Sequence, residues 1–147
     1  MSVPPEDLSV HPGHLIRRAL QALNMVWAEE VSREVTSPQF AVLNTLLAEP
    51  NIDQQTLGGR AALDRSTVAE IVARLTARKL VRWTRDAGDG RRKLIQLTPR
   101  GEALVQELIP RTHRMTHRLV RALRPEDEME LLRLLTLLVS AHEGPQD

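Results

Sequence analysis

Cysteine is absent from the 147 residues, and so is tyrosine. Without thiols the chain can build no disulfide framework, no thiolate metal site and no cysteine-based peroxide sensor. Aromatic residues are scarce, with two tryptophans and one phenylalanine. Leucine, valine and alanine must therefore fill the core, which favours helices over a β-sandwich. No apolar run approaches the ~20 residues that cross a bilayer. Residues 1–11 lack the basic and apolar regions of a secretory leader. A cytoplasmic protein with no membrane partner is expected. No nucleophile–base pair, phosphate-binding loop or paired-carboxylate arrangement is visible. The protease form His-Glu-x-x-His is missing too, because Arg114 follows His113. These absences speak against an enzyme and against a required cofactor.

There is also no large excess of charge, the net being +1, but the distribution is uneven. Residues 74–100 hold nine basic side chains (Arg74, Arg78, Lys79, Arg82, Arg85, Arg91, Arg92, Lys93, Arg100) against Asp86 and Asp89. A local basic field on a near-neutral chain is the footprint of a polyanion-binding face.

Periodicity orders the chain as four helices, a hairpin and two more helices. Residues 1–12, Pro-rich and polar, read as a flexible arm. A helix is expected over 13–33, its apolar face formed by Leu15, Ile16, Ala19, Leu20, Leu23, Val26 and Trp27. A second starts at Thr36-Ser37-Pro38, with Ser37 as N-cap and Pro38 in the first turn. Its stripe is Phe40, Leu43, Leu46 and Leu47, and Pro50-Asn51 ends it. A third runs from the N-cap Asp53 to about Ala62 and contains Gly58 and Gly59, whose missing side chains allow close packing. Asp64 caps a fourth over 65–79, with Val68, Ile71, Val72 and Leu75 turned inward.

The period then changes. Val81-Arg82-Trp83-Thr84-Arg85 and Lys93-Leu94-Ile95-Gln96-Leu97 read as a hairpin whose connection holds Gly88 and Gly90. Thr98 caps a long fifth helix to about Leu123, which Pro110 should kink or interrupt. Pro125 opens the last helix, where Glu126, Asp127 and Glu128 suit the dipole. Leucines cover nearly every side of 131–139. A helix so apolar is buried by more than its own chain, and a homodimer built from both termini is the natural inference. The expected fold is mainly α with a small β-hairpin wing. A winged helix-turn-helix at 37–99 is joined to a helical dimerisation region formed by 13–36 and 100–143.

The fourth helix turns Ser66, Ala69, Glu70 and Ala73 away from its apolar stripe, flanked by Thr67 and Arg74. Small residues let a helix sink into a major groove, hydroxyls reach phosphates or base edges, and Ala methyls meet thymine methyls. Arg65 and Arg74 suit either guanine edges or phosphates. The preceding helix offers Gln54, Gln55 and Thr56 to the backbone. At the hairpin tip, Asp89, Arg91, Arg92 and Lys93 form a basic wing for a minor groove, with Asp89 expected to orient Arg91 by an ion pair. Double-stranded DNA is thus the expected partner.

Residues 56–101 resemble the MarR family of bacterial transcriptional regulators. The likeness is carried by Leu63-Asp64-Arg65-Ser66-Thr67-Val68, Leu75, Leu80-Val81, Arg85, Asp89-Gly90-Arg91 and Leu97-Thr98-Pro99-Arg100-Gly101. Element order agrees over nearly the whole chain. The Gly58-Gly59 pair departs from the family, which usually has helix formers there. The resemblance implies an obligate homodimer whose wings grip a pseudo-palindromic operator, and repression relieved by a small ligand.

In the family, effectors lie between the dimer-forming helices and the DNA-reading part, here the first, second and fifth helices. His14, Arg17, Arg18 and Gln21 fall within two turns of the first helix. Phe40, Leu43 and Met115 are the expected walls. Arginine at the edge of an apolar pocket holds a carboxylate bidentately, and an aromatic acid or phenol is the expected effector. The competing reading makes both arginines surface or interface ion-pair partners. His113 and His117 stand at i, i+4, a spacing able to chelate zinc, but no nearby carboxylate completes a set. Alternatives to a ligand-released repressor are an effector-independent or architectural DNA-binding protein, a metal-responsive repressor, or a helical partner-binding module with an incidental basic hairpin.

Overall fold

The computed structural model of the chain describes residues 3–143. A single 3₁₀ turn, Leu8–Val10, stands within the segment expected to be irregular, held by the Asp7 carboxylate on the Ser9 amide. Six helices and one hairpin follow: α1 (Pro12–Glu30), α2 (Ser37–Ala48), α3 (Gln54–Arg60), α4 (Arg65–Ala77), β1 (Val81–Arg85), β2 (Lys93–Leu97), α5 (Pro99–Val120) and α6 (Pro125–Ser140).

Caps set most of the boundaries. Thr36, not Ser37, caps α2: its hydroxyl accepts from the Gln39 amide while the Gln39 side chain accepts from the Thr36 amide. This reciprocal box satisfies two orphan groups, which Ser37 has no residue at the right spacing to match. Asp53, Asp64 and Thr98 cap α3, α4 and α5 as their spacing requires. Helix α5 runs through Pro110 without interruption. Pro110 lies on the exposed side, while Val105, Leu108 and Met115 bury the other face. Each such side chain contributes roughly 1.5–3 kcal/mol, which outweighs one lost helical bond.

The core joins α2, α4, the hairpin and α5 around Val42, Leu43, Leu46, Leu57, Val72, Leu75, Ile95, Val105 and Leu108, all nearly inaccessible. The C-terminal end of α1 closes it. There Trp27 donates its indole N–H to the Val35 carbonyl at 2.7 Å and stacks at a tilt on Phe40. Arg118 of α5 holds Glu29 and Glu30 together, and Arg111 caps the Val31 carbonyl. The rest of α1 is different. Leu15, Ile16 and Leu20 are exposed, although they continue the same apolar stripe. Among the described residues helix α6 packs closely on no other element, and its leucines at 131, 132, 134, 135, 137 and 138 are all open to solvent.

Candidate nucleic-acid interface

The hairpin has the register Val81↔Leu97, Trp83↔Ile95 and Arg85↔Lys93. Its base is widened by a bridge between Ile52 and Ile95, with the Ile95 amide on the Ile52 carbonyl at 2.8 Å and the Asn51 amide on the Ile95 carbonyl at 3.0 Å. The segment leading into α3 is therefore tied to the hairpin by this single bridge. Ile95 is wholly buried beneath it, whereas its cross-strand partner Trp83 is exposed.

The tip is ordered by local bonds. Asp86 accepts from the Gly88 amide, and the Arg92 amide donates to the Asp89 carbonyl. Asp89 does not pair with the Arg91 guanidinium as expected. Its carboxylate accepts the Arg91 backbone amide at 3.1 Å, a bond that shapes the turn. The Arg91 side chain makes no ion pair among the described residues. Its neighbour Arg92 does: Nη2 donates to Asp53 Oδ2 at 2.6 Å, and Nη1 lies 4.0 Å from Asp86. Asp53 meanwhile caps α3 through the Thr56 amide at 2.8 Å. The Thr56 amide first and Arg92 second hold this carboxyl down to about 2.

Helix α4 presents Arg65, Ser66, Glu70, Ala73 and Arg74 to solvent, with Thr67 and Ala69 half-buried. Asp64 organises its N-terminus. It accepts from the Thr67 amide at 2.9 Å, the Thr67 hydroxyl at 2.6 Å and the Ser66 hydroxyl at 2.8 Å. The Thr67 hydroxyl, then the Thr67 amide and the Ser66 hydroxyl, hold its carboxyl far below the usual range. Both hydroxyl protons are thus committed, and Ser66 and Thr67 offer outward only oxygen lone pairs, suited to base amino groups rather than phosphates. Further along, Arg74 donates to Glu70 at 2.6 Å across one turn. Gln55 is exposed and Thr56 half-buried on α3, and Lys93 is exposed at the start of β2.

Gly58 and Gly59 play unequal parts. A Cβ on Gly58 would lie 3.2 Å from both the Leu63 carbonyl and Val68, so α4 approaches α3 closely there, while a Cβ on Gly59 meets nothing. A concavity of about 520 Å³ opens beside them, lined by Gln54, Gln55, Leu63, Arg65 and Val68. Another, of about 510 Å³, lies at Glu34, Gln39, Arg74, Ala77 and Arg78.

A sequence model of the MarR family matches residues 34–92. Over 141 residues the chain is 31% identical to the HTH-type transcriptional repressor NicR of Pseudomonas putida, covering 95% of this chain and 89% of that protein. The chain belongs to the MarR family. Among solved members, the PcaV transcriptional regulator from Streptomyces coelicolor, in complex with its natural ligand, has a TM-score of 0.90 at 44% identity, covering 96% of this chain and 100% of that one. BpsR of Bordetella bronchiseptica, whose DNA binding is regulated by 6-hydroxynicotinic acid, has a TM-score of 0.85 at 31% identity, over 92% and 98% of the two chains. This MarR-family chain is thus a winged helix-turn-helix transcriptional regulator, with the hairpin in the place of the wing and α4 as the second helix of the helix-turn-helix.

The residues expected to meet an effector are less gathered. His14, Arg17, Arg18 and Gln21 lie along the N-terminal half of α1, where Arg17 Nη2 and His14 Nδ1 are 3.1 Å apart. Leu43 and Met115 belong to the core, and of the three expected walls Phe40 alone is half-exposed. Neither concavity described above includes any of the seven. Among the described residues no cluster of three His, Asp or Glu side chains is placed to hold a metal ion, and His113 and His117 are exposed. Sequence reasoning missed the second role of Asp53, the Asp64 hydroxyl network and the Ile52–Ile95 bridge. Arg92 and Asp53 are 39 residues apart, and no local periodicity links them.

Proposed function

We propose that the chain is a cytoplasmic, homodimeric repressor that acts by binding, without turnover, and is released from a pseudo-palindromic operator by a small aromatic carboxylate. The observation that carries the DNA-reading half is the pairing of α4, with its outward Ser66, Glu70 and Arg74, and a wing whose Arg91 guanidinium has no ion pair among the described residues. An unpaired cation at a hairpin tip suits the negative potential of a narrow minor groove. Gln55, Thr56, Arg65, Thr67 and Lys93 add backbone or base contacts around it.

Dimerisation through 13–36 and 100–143 is supported by the apolar stripe on α1 and by α6, both uncovered within one chain. A partner copy is needed to hide them. The effector reading is supported by two relatives, one solved with its natural ligand and one regulated by 6-hydroxynicotinic acid, a ring bearing a carboxylate. Arg17 and Arg18 supply guanidinium donors on the exposed part of α1, close in sequence to His14 and Gln21, and Phe40 offers apolar surface. The pocket they would share is completed by the partner copy.

A mobility-shift assay on DNA upstream of the coding sequence, titrated with substituted benzoic and nicotinic acids, tests this. The expected result is a retarded band that one acid class releases, with Arg17→Ala or Arg18→Ala blunting the release but not the binding. If no acid releases the band, the effector reading fails. If no band forms on any duplex, the DNA-reading half fails.

A further inference from the structure

The two arginines at the wing tip are adjacent in sequence but differ in their surroundings. Among the described residues Arg91 has no ion partner, while Arg92 is bound to Asp53 at 2.6 Å, with Asp86 at 4.0 Å from its other nitrogen. Asp53 is a node. One carboxylate oxygen caps α3 through Thr56 and the other takes Arg92. It directly follows Ile52, whose bridge to Ile95 already fixes the base of the hairpin. The wing is therefore pinned at two points to the same three-residue stretch that leads into α3.

We infer that Arg92 is a positioning residue, not a DNA contact: with Asp53 it latches the wing to the helix-turn-helix, so that Arg91 is held at a set reach from α4. The inference rests on the DNA-reading half of the proposed function and assigns separate tasks to two residues that composition alone places together in one basic patch. A hairpin anchored only at its base pivots, and its tip samples a volume. Ordering it on DNA then costs affinity at the moment of binding. The latch removes part of that cost beforehand. The Arg92 side chain is half-exposed and Asp53 less so, hence the pair is partly shielded from salt yet close enough to solvent for phosphate to compete for it.

The test exploits the fact that asparagine caps a helix as well as aspartate does. Asp53→Asn therefore removes the charge and leaves α3 capped. The probe is a duplex selected from a random library by the full-length wild-type protein. Its recovery establishes DNA reading independently, and failure to recover any duplex sinks the proposed function rather than the latch. If the latch is correct, Asp53→Asn and Arg92→Ala each weaken binding roughly three- to thirty-fold, and the double variant is no weaker than either single one. Arg92→Ala keeps the wild-type dependence of log K on log salt. Arg91→Ala lowers that slope by up to about 0.9, because a cation seated in the minor groove displaces counterions from the flanking phosphates. The opposite pattern overturns the proposal. If Arg92 touches phosphate, Asp53→Asn tightens binding by removing a competing carboxylate, and Arg92→Ala lowers the slope. Wild-type affinity in both single variants overturns it equally.

Discussion

At the scale of single residues, glycine is required at only some of the positions where it occurs. A Cβ on Gly101 would lie 1.9 Å from the Leu80 carbonyl oxygen, a backbone atom that cannot step aside. Gly101→Ala is expected to cost about 3 kcal/mol or more, or to prevent folding, because the overlap is with main chain. Gly58→Ala meets the Leu63 carbonyl and Val68 at 3.2 Å and should destabilise mildly. Gly59→Ala meets nothing and should stabilise by roughly 0.5–1 kcal/mol through helix propensity. Urea denaturation of the three variants tests this order, and a stable Gly101→Ala protein would refute it. Asp53 gives a pH prediction. Its carboxyl is held down to about 2 in the folded chain, below the ~3.9 of an unperturbed aspartate. The stability it lends is complete above the ordinary value and is lost as pH falls toward the folded one. Wild type should therefore lose its advantage over Asp53→Asn between about pH 5 and about pH 2.5 in urea titrations.

At the scale of elements, α3 ends in a strained joint. Ala62 sits at φ 53° while the Leu63 amide closes back on the Gly58 carbonyl at 2.9 Å. An L-residue with a side chain pays roughly 1 kcal/mol in that region, so Ala62→Gly should raise the midpoint of thermal unfolding. An unchanged or lowered midpoint would count against this reading of the joint. Elements were legible in the sequence where two signals agreed. Both hairpin strands end where alternation and the Gly88–Gly90 turn predict, and α4 buries Val68, Ile71, Val72 and Leu75 as its spacing requires. Single signals misled. Pro38 drew the cap of α2 to Ser37, although Thr36 and Gln39 stood at capping-box spacing. Pro110 implied a kink or an interruption, and the interruption is overridden by burial on the opposite face of α5. Contacts between distant segments, such as Arg92 on Asp53, leave no trace in a period of two or 3.6 and were not readable at all.

At the scale of the whole molecule, the uncovered leucines of α6 decide what the stable species is. Under the proposed dimer, folding and association are coupled, and the unfolding temperature should rise with protein concentration. Leu134→Asp combined with Leu138→Asp places two carboxylates on one side of α6 without touching the core. The variant should keep its helical circular dichroism, sediment as a monomer at micromolar concentration and lose at least ~100-fold in affinity for a two-half-site duplex, because the second head no longer binds intramolecularly. A dimer that survives both substitutions would move the interface elsewhere.

The junction between α4 and α5 has one more consequence. Thr98 donates its hydroxyl to the Lys79 carbonyl at 2.6 Å and its amide to the Leu80 carbonyl at 3.0 Å, while Gly101 lies flush against Leu80. Three contacts thus tie the first turn of α5 to the two residues that lead from α4 into β1. A tilt of α5 at this joint is therefore expected to carry the root of the wing with it, since Leu80 stands directly before β1, and a small angle at that root becomes a larger displacement at the hairpin tip.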